Sequence, residues 1–381
     1  MNSRERVIAA LEHREADRVP FDLGSTYVTG ITRNAYARLA EYLGDDVGEI
    51  ELCDVVQQLA VAKESVLKKL EVDVRGIVPR IVRKNPSLER AEGGTRFTDE
   101  WAVTWNRPGG GLYFDIAASP FSGEISERDI DGFAWPDASD PALFAGLEKR
   151  AKEYYERGYA IILENICAGV FEMCCRVRGA EQFYIDLAMN PSLACRLMDK
   201  FVELKIEYYK TAAEVLGEYV QLVREVDDMA GQEALLVSPG MYRELVKPRH
   251  KQLFEAQKKY FPEPFYVFFH SDGAICDIIP DFLEIGVDVL NPVQLTAKGM
   301  DAAKLKSEFG KDLAFWGGGV DTQNVLPGGT PEQVKANVTE RIEQLAPGGG
   351  FVFATVHNVQ DDVPVENLAA MIEAFRAARA Y

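Results

Sequence analysis

The run Phe265-Tyr-Val-Phe-Phe-His270 is strongly β-prone, and it stops at one of only four histidines in 381 residues, two positions before Asp272. In an extended chain, residues i and i+2 point to the same side, so this imidazole and carboxylate share a face. A second histidine, His357, follows the apolar run Phe351-Val-Phe-Ala354. Two imidazoles and a carboxylate converging on one point make a divalent-metal site. Zinc is the first choice, held by three protein ligands with a fourth position left open for substrate or water. The plainer alternative is a strand-end histidine that only satisfies a carbonyl. Glu164 and the pair Asp227-Asp228 add carboxylates suited to acid–base work, because like charges at close range raise one pKa. His13 and His250 fall in helical patterns and read as structural.

Such groups need a scaffold that gathers strand ends. Eight apolar runs recur along the chain: Val19–Leu23, Val72–Val78, Tyr159–Leu163, Tyr219–Val223, Phe265–Phe269, Val287–Leu290, Leu313–Trp316 and Phe351–Ala354. Helical patterns separate most of them, at about 33–43, 55–70, 141–157, 192–216, 239–261, 275–285, 299–309 and 331–346, with a last one at 363–379. Strands alternating with helices imply a parallel sheet, and eight of them imply a closed (β/α)8 TIM barrel spanning 1–381 behind an N-terminal helix capped at Asn2 or Ser3. An open doubly wound sheet is the alternative, but no Gly-x-Gly-x-x-Gly follows the first run.

Residues 80–140 break the alternation. The stretch RFTDEWAVTWNRPGGGLYFDI reads as a β-hairpin about Arg107–Gly111, inserted between early barrel strands. Its Trp101, Trp105, Tyr113 and Phe114 either form a lid over the site or pack the insertion's own core.

Catalytic groups of a barrel sit at the C-terminal ends of its strands. Read there, the chain offers Glu164 and Asp228 as catalytic candidates. Asp22, Tyr27, Asn291 and Gln294, with Trp105 and Tyr113 from the insertion, are expected to contact substrate. His270, Asp272 and His357 are the metal candidates. Gly317-Gly-Gly319 permits close backbone approach, as in an anion cradle.

Lys plus Arg is 42 and Asp plus Glu is 60, a net charge of −18, which argues against nucleic acid or an anionic membrane as partner. Six scattered cysteines without a CxxC fit a reduced, cytoplasmic protein. No apolar run reaches the length of a membrane span, and the N-terminus does not read as a signal peptide.

Four long stretches carry a resemblance. They are SRERVIAALEHREADRVPFD, EVDDMAGQEALLVSPGMYRELVKPRHKQLF, HSDGAICDIIPDFLEIGVDVLNPVQ and GGGFVFATVHNVQDDVPVENLAAMIEAF. Over nearly its whole length the chain resembles the uroporphyrinogen decarboxylase superfamily, which implies a TIM barrel. True decarboxylases carry an arginine-bearing motif after the first strand, like Arg-Gln-Ala-Gly-Arg-Tyr. This chain has Asp22-Leu-Gly-Ser-Thr-Tyr27 there and no arginine before Arg33. It looks closer to the cobalamin (corrinoid)-dependent methyltransferase and O-demethylase branch. Thiol-activating members of that branch hold zinc through His-x-Cys and a later Cys. His270 matches the histidine, Asp272 stands where the first cysteine would be, and His357 stands near the second.

The resemblance thus implies methyl transfer from a small-molecule donor to a corrinoid on a separate protein. With harder ligands than thiolates, the donor is expected to carry oxygen or nitrogen, an aromatic methyl ether by preference. A carboxy-lyase and a non-catalytic corrinoid-protein scaffold are the alternative readings.

Overall fold

A computed structural model describes residues 1–46, 48–81, 86–91 and 93–381. In chain order, Leu52–Asp54 (β1) and Leu59–Ala60 (β2) form a short antiparallel ribbon, and Val74–Ile77 (β3) begins a parallel sheet. Glu89–Ala91 (β4), Gly94–Thr98 (β5), Thr104–Pro108 (β6) and Asp115–Ala118 (β7) make a separate antiparallel sheet. Ala160–Leu163 (β8), Leu222–Val226 (β9), Tyr266–His270 (β10), Val289–Asn291 (β11), Ala314–Trp316 (β12) and Phe351–Val352 (β13) continue the parallel one.

The seven parallel strands run in the order β13-β12-β11-β10-β9-β8-β3. Their two edges are joined by the segment around Phe21. The Asp22 N–H donates to the Phe353 carbonyl (2.9 Å), the Phe353 N–H donates to Pro20 (2.9 Å), and the Asp73 N–H donates to Phe21 (2.8 Å). Phe21 and Phe353 form a parallel bridge. This first run is therefore the eighth stave, and the sheet is the closed α/β barrel that the sequence implies.

The staves form where they do because both of their faces are covered, so most read as apolar runs, and the charges within β3 and β9 (Arg75, Arg224 and Glu225) are each paired. One face packs on the surrounding helices. The other fills the barrel with Val74, Ile162, Leu222, Phe268, Val289, Trp316 and Val352. Helix Ser3–Leu11 closes the bottom, placing Val7, Ala10 and Leu11 in that inner cluster. Asn2 starts this helix with a capping box shared with Glu5.

Several expectations need correction. The helix drawn over 55–70 is only Glu64–Leu70, because residues 52–60 fold back as the β1–β2 ribbon and hydrogen-bond each other instead. The fourth stave lies three residues later than its apolar run suggests, so Arg224 and Glu225 are strand residues. The insertion has four strands rather than one hairpin, and Arg107–Gly111 leads from β6 toward β7. Its residues 82–85 and 92 lie outside the described residues. His13 sits just beyond its helix at φ 54. Gly317–Gly319 is a packing device, not an anion cradle: a Cβ on Gly319 would lie 2.4 Å from the Phe353 ring and one on Gly317 2.9 Å from the Thr355 carbonyl.

Candidate metal centre and substrate cavity

Strand parity sorts the polar residues of the barrel into two layers. On β9, Leu222 belongs to the inner cluster, so Arg224 at i+2 also faces inward, whereas Glu225 faces the helices. On β8, Ile162 faces inward and so does Glu164 just past its end. Phe268 brings His270 inward, and His270 brings Asp272.

The inward groups meet at the C-terminal mouth. His270 Nε2 lies 3.4 Å from Asp272 Oδ2, and His357 Nε2 lies 3.9 Å from that same oxygen. One ligand atom from each of the three residues fits within 4.8 Å of the others. Ligands about 2.0–2.2 Å from zinc in a tetrahedron stand about 3.3–3.6 Å apart, so small side-chain shifts would complete the set.

Asn291 prepares His270 for this role. Its Nδ2 donates to the Trp316 carbonyl (2.7 Å), which fixes the amide so that Oδ1 faces His270 Nδ1 at 2.6 Å. A carbonyl oxygen there requires Nδ1–H, which makes Nε2, the nitrogen turned to Asp272, the one that would ligate an ion on losing its proton. The donor set and its support thus fit a divalent ion.

Electrostatics couple the cluster. Burial pulls the His270 pKa down, but the Asp272 and Asp228 carboxylates outweigh it and leave the imidazole raised. Burial pushes Asp272 up, and His270 with His357 reverses this to a net lowering. His357 falls to about 4, through burial and then the charges of His270 and Arg224, against the pull of Asp272. Asp228 Oδ1 stands 3.7 Å from His270 Nε2 and accepts from the Asp272 N–H at 3.0 Å. Its carboxyl is pushed up to about 7 by burial, with Asp272 adding to the rise and His270 opposing it. This holds although 40% of the side chain is reached from the cavity.

Asp227 and Asp228 do not share a proton, contrary to one reading of the pair. Alternation turns Asp227 away, to the N–H groups of Phe171 and Glu172 (2.7 and 2.8 Å) and to His250 Nε2 at 2.9 Å.

The cluster borders a cavity of about 210 Å3 between the barrel mouth and the insertion. Tyr27, Trp101, Trp105, Ile166 and Met173 supply apolar wall, and Arg176, Arg224, Asp228, His270 and His357 supply charge. Two of the insertion aromatics pack within it and also line the cavity. Trp105 stacks on Phe97 at 6.4 Å and donates to Asp99 at 2.7 Å, and Trp101 and Trp105 also face the cavity. A second hollow, about 470 Å3, lies on the other side of His357 and Asp272, lined by Tyr113, Gln232, Gln294, Gln323, Asn358 and Gln360 among others.

Not every expected site residue reaches substrate space. Asn291 holds His270 and does not line either hollow. Asp22 is 1% exposed, bonded to Ser25 Oγ (2.7 Å) and Trp316 Nε1 (3.0 Å) within the barrel. Glu164 is fully buried, accepting from Arg224 Nε and from the Tyr27 N–H at 2.9 Å, so it anchors a cation instead of facing the donor. Gln294 accepts from the Gly273 N–H (2.7 Å) and Tyr113 bonds Gln360, both beside the outer hollow. Arg224 itself was missed. Its in-strand parity with Leu222 was the available signal, hidden by the misplaced strand.

The model of the uroporphyrinogen decarboxylase (URO-D) family matches residues 152–378, six of the eight staves and all of His270, Asp272 and His357. The chain belongs to the uroporphyrinogen decarboxylase family. This family member is similar to the methylated-thiol–coenzyme M methyltransferase of Methanosarcina mazei, with 24% identity over 248 residues. That match covers 63% of this chain and 60% of the relative's length. A solved methyltransferase structure from Methanosarcina mazei superposes with a TM-score of 0.68 at 17% identity, covering 99% of both chains, and bears out the fold. No helix among the described residues is long and apolar enough to cross a membrane.

Proposed function

We propose that this protein moves a methyl group from a methylated small molecule to the cobalt of a corrinoid carried by a separate protein. The observation that carries the reading is the convergence of His270, Asp272 and His357 beside an aromatic-walled cavity. Similarity to a methyltransferase relative supports it. A zinc ion held by these three residues would supply Lewis acidity toward the heteroatom that leaves the methyl group.

The protein's own side chains do the remaining work. Asn291 keeps the His270 tautomer. Tyr27, Trp101 and Trp105 exclude water and seat an aromatic ring. Asp228, whose Oδ1 stands 3.7 Å from His270 Nε2 at the mouth of the cluster, holds a proton and delivers it to the departing atom. A donor set without thiolates and the aromatic cavity wall favour an aromatic methyl ether over a methylated thiol, and the phenolate that leaves takes up this proton. The outer hollow, rich in carboxamides, suits the acceptor side.

A tetrapyrrole carboxy-lyase fits less well. The cavity is smaller than the roughly 300–1,000 Å3 of drug-sized sites. Its cations among the described residues are Arg176 and Arg224, each already beside a glutamate, too few for a polycarboxylate.

The test is methyl transfer from methoxybenzenes to free cob(I)alamin, followed by the absorbance change of the corrin. Transfer that depends on His270 and Asp228 supports the proposal. No transfer from oxygen, nitrogen or sulfur donors, with corrinoid-protein binding intact, would return the scaffold reading.

A further inference from the structure

Arg224 is 4% exposed, yet it lines the cavity. Its Nε is spent on Glu164, and among the described residues its two terminal nitrogens have no hydrogen-bond partner. Glu164 is saturated in turn by the N–H groups of Tyr27 and Asn165 (2.9 and 3.2 Å). The guanidinium is therefore held in one orientation, its Nη edge toward the cavity it lines. A buried cation with idle donors is costly unless a ligand satisfies them. Its planar fork matches the two oxygens of a carboxylate.

We propose that the methyl donor bears a carboxylate that docks on the Nη edge of Arg224, placing a methoxybenzoate-like ring against Tyr27. This rests on the methyltransferase reading of the same site and adds the donor's charge. The Arg224 guanidinium lies 5.8 Å from the Tyr27 ring centroid, so carboxylate and ring would be gripped side by side. Its charge also reaches His357, where it contributes to the lowered pKa. Among the described residues Arg224 is the cation left to a carboxylate, because Arg176 is engaged by Glu172 four residues away on its helix.

The experiment is calorimetric binding of 4-methoxybenzoate, its neutral isostere 4-methoxybenzamide, and methoxybenzene. Wild type, Arg224→Lys and Arg224→Met are compared, each zinc-loaded and chelator-treated. The acid should bind wild type at least tenfold more tightly than the amide, by Arg224→Lys less selectively, and by Arg224→Met with a ratio near one. Equal binding of acid and amide by wild type, or no binding of the acid at millimolar concentration, overturns the proposal. Since Arg224→Met strands Glu164, the wild-type acid-to-amide ratio and the lysine variant decide the matter if it does not fold. Methyl transfer is scored separately. Transfer from methoxybenzene without carboxylate preference would sink this inference and spare the function, and selective binding without transfer would do the reverse.

Discussion

Removing the Asn291 side chain should cost the metal more than the fold. Asn291 is fully buried and makes two hydrogen bonds, accepting from His270 Nδ1 at 2.6 Å and donating to the Trp316 carbonyl at 2.7 Å. Asn291→Ala orphans both partners, at about 1–3 kcal/mol each unless water enters the vacated space. It also frees the His270 ring to turn and to change tautomer, so that Nε2 is no longer pledged to the cluster. Outer-shell losses of this kind weaken metal binding by about 10–100-fold, or about 1.4–2.7 kcal/mol. The assay is zinc competition against a chromogenic chelator, with a urea melt on the same protein. Asn291→Asp retains an acceptor at the same reach and should recover most of the affinity. A folded Asn291→Ala that binds zinc as wild type does would refute the claim that this amide prepares His270.

Other outcomes follow from the same geometry. Asp228→Asn should lower kcat with an oxygen-linked donor by about 10²–10⁴-fold while leaving zinc content unchanged, and loss of zinc would mean that Asp228 is a ligand instead. Lys205 and Glu225 form a fully buried pair at 2.5 Å, with Asn165 and Tyr209 on the same carboxylate. Lys205→Ala should therefore destabilise by about 3–5 kcal/mol in a denaturant melt, and a loss under 1 kcal/mol would show Glu225 finding another partner. Burial raises Asp22 to about 6, against hydrogen bonds from Ser25, Thr29 and Trp316. The folded state thus keeps this proton where the unfolded chain, near pH 4, has lost it. The group's stabilising contribution is present below about pH 4 and is gone above pH 6, a swing of about 3 kcal/mol. Melts of Asp22→Asn against wild type should shift in the variant's favour from pH 4.5 to 7.5, and a difference independent of pH contradicts the assignment.

The barrel was legible because parallel staves are apolar on both faces and punctuated by helices, and that signal is local. His270 and Asp272 were legible for the same reason, since parity at a strand end needs no partner. What long-range contact decides was not. Glu164 read as a free base until Arg224, 60 residues away, took its carboxylate. Asp227 and Asp228 looked like a proton-sharing pair, but alternation sends one to His250 and the other to His270. The β1–β2 ribbon escaped notice because its two- and three-residue strands are too short to show a period. Asn291 was singled out for its strand-end position, and only its neighbours Trp316 and His270 reveal that it works on a ligand and not on the donor.

The most direct test of the metal centre is elemental analysis of untagged protein, prepared without chelator and offered zinc, for wild type, His270→Ala and Asp272→Ala. Wild type should hold close to one zinc per chain and either variant little, with all three folded. Wild-type protein that takes up no zinc, or variants that keep it, would contradict a centre built from His270, Asp272 and His357.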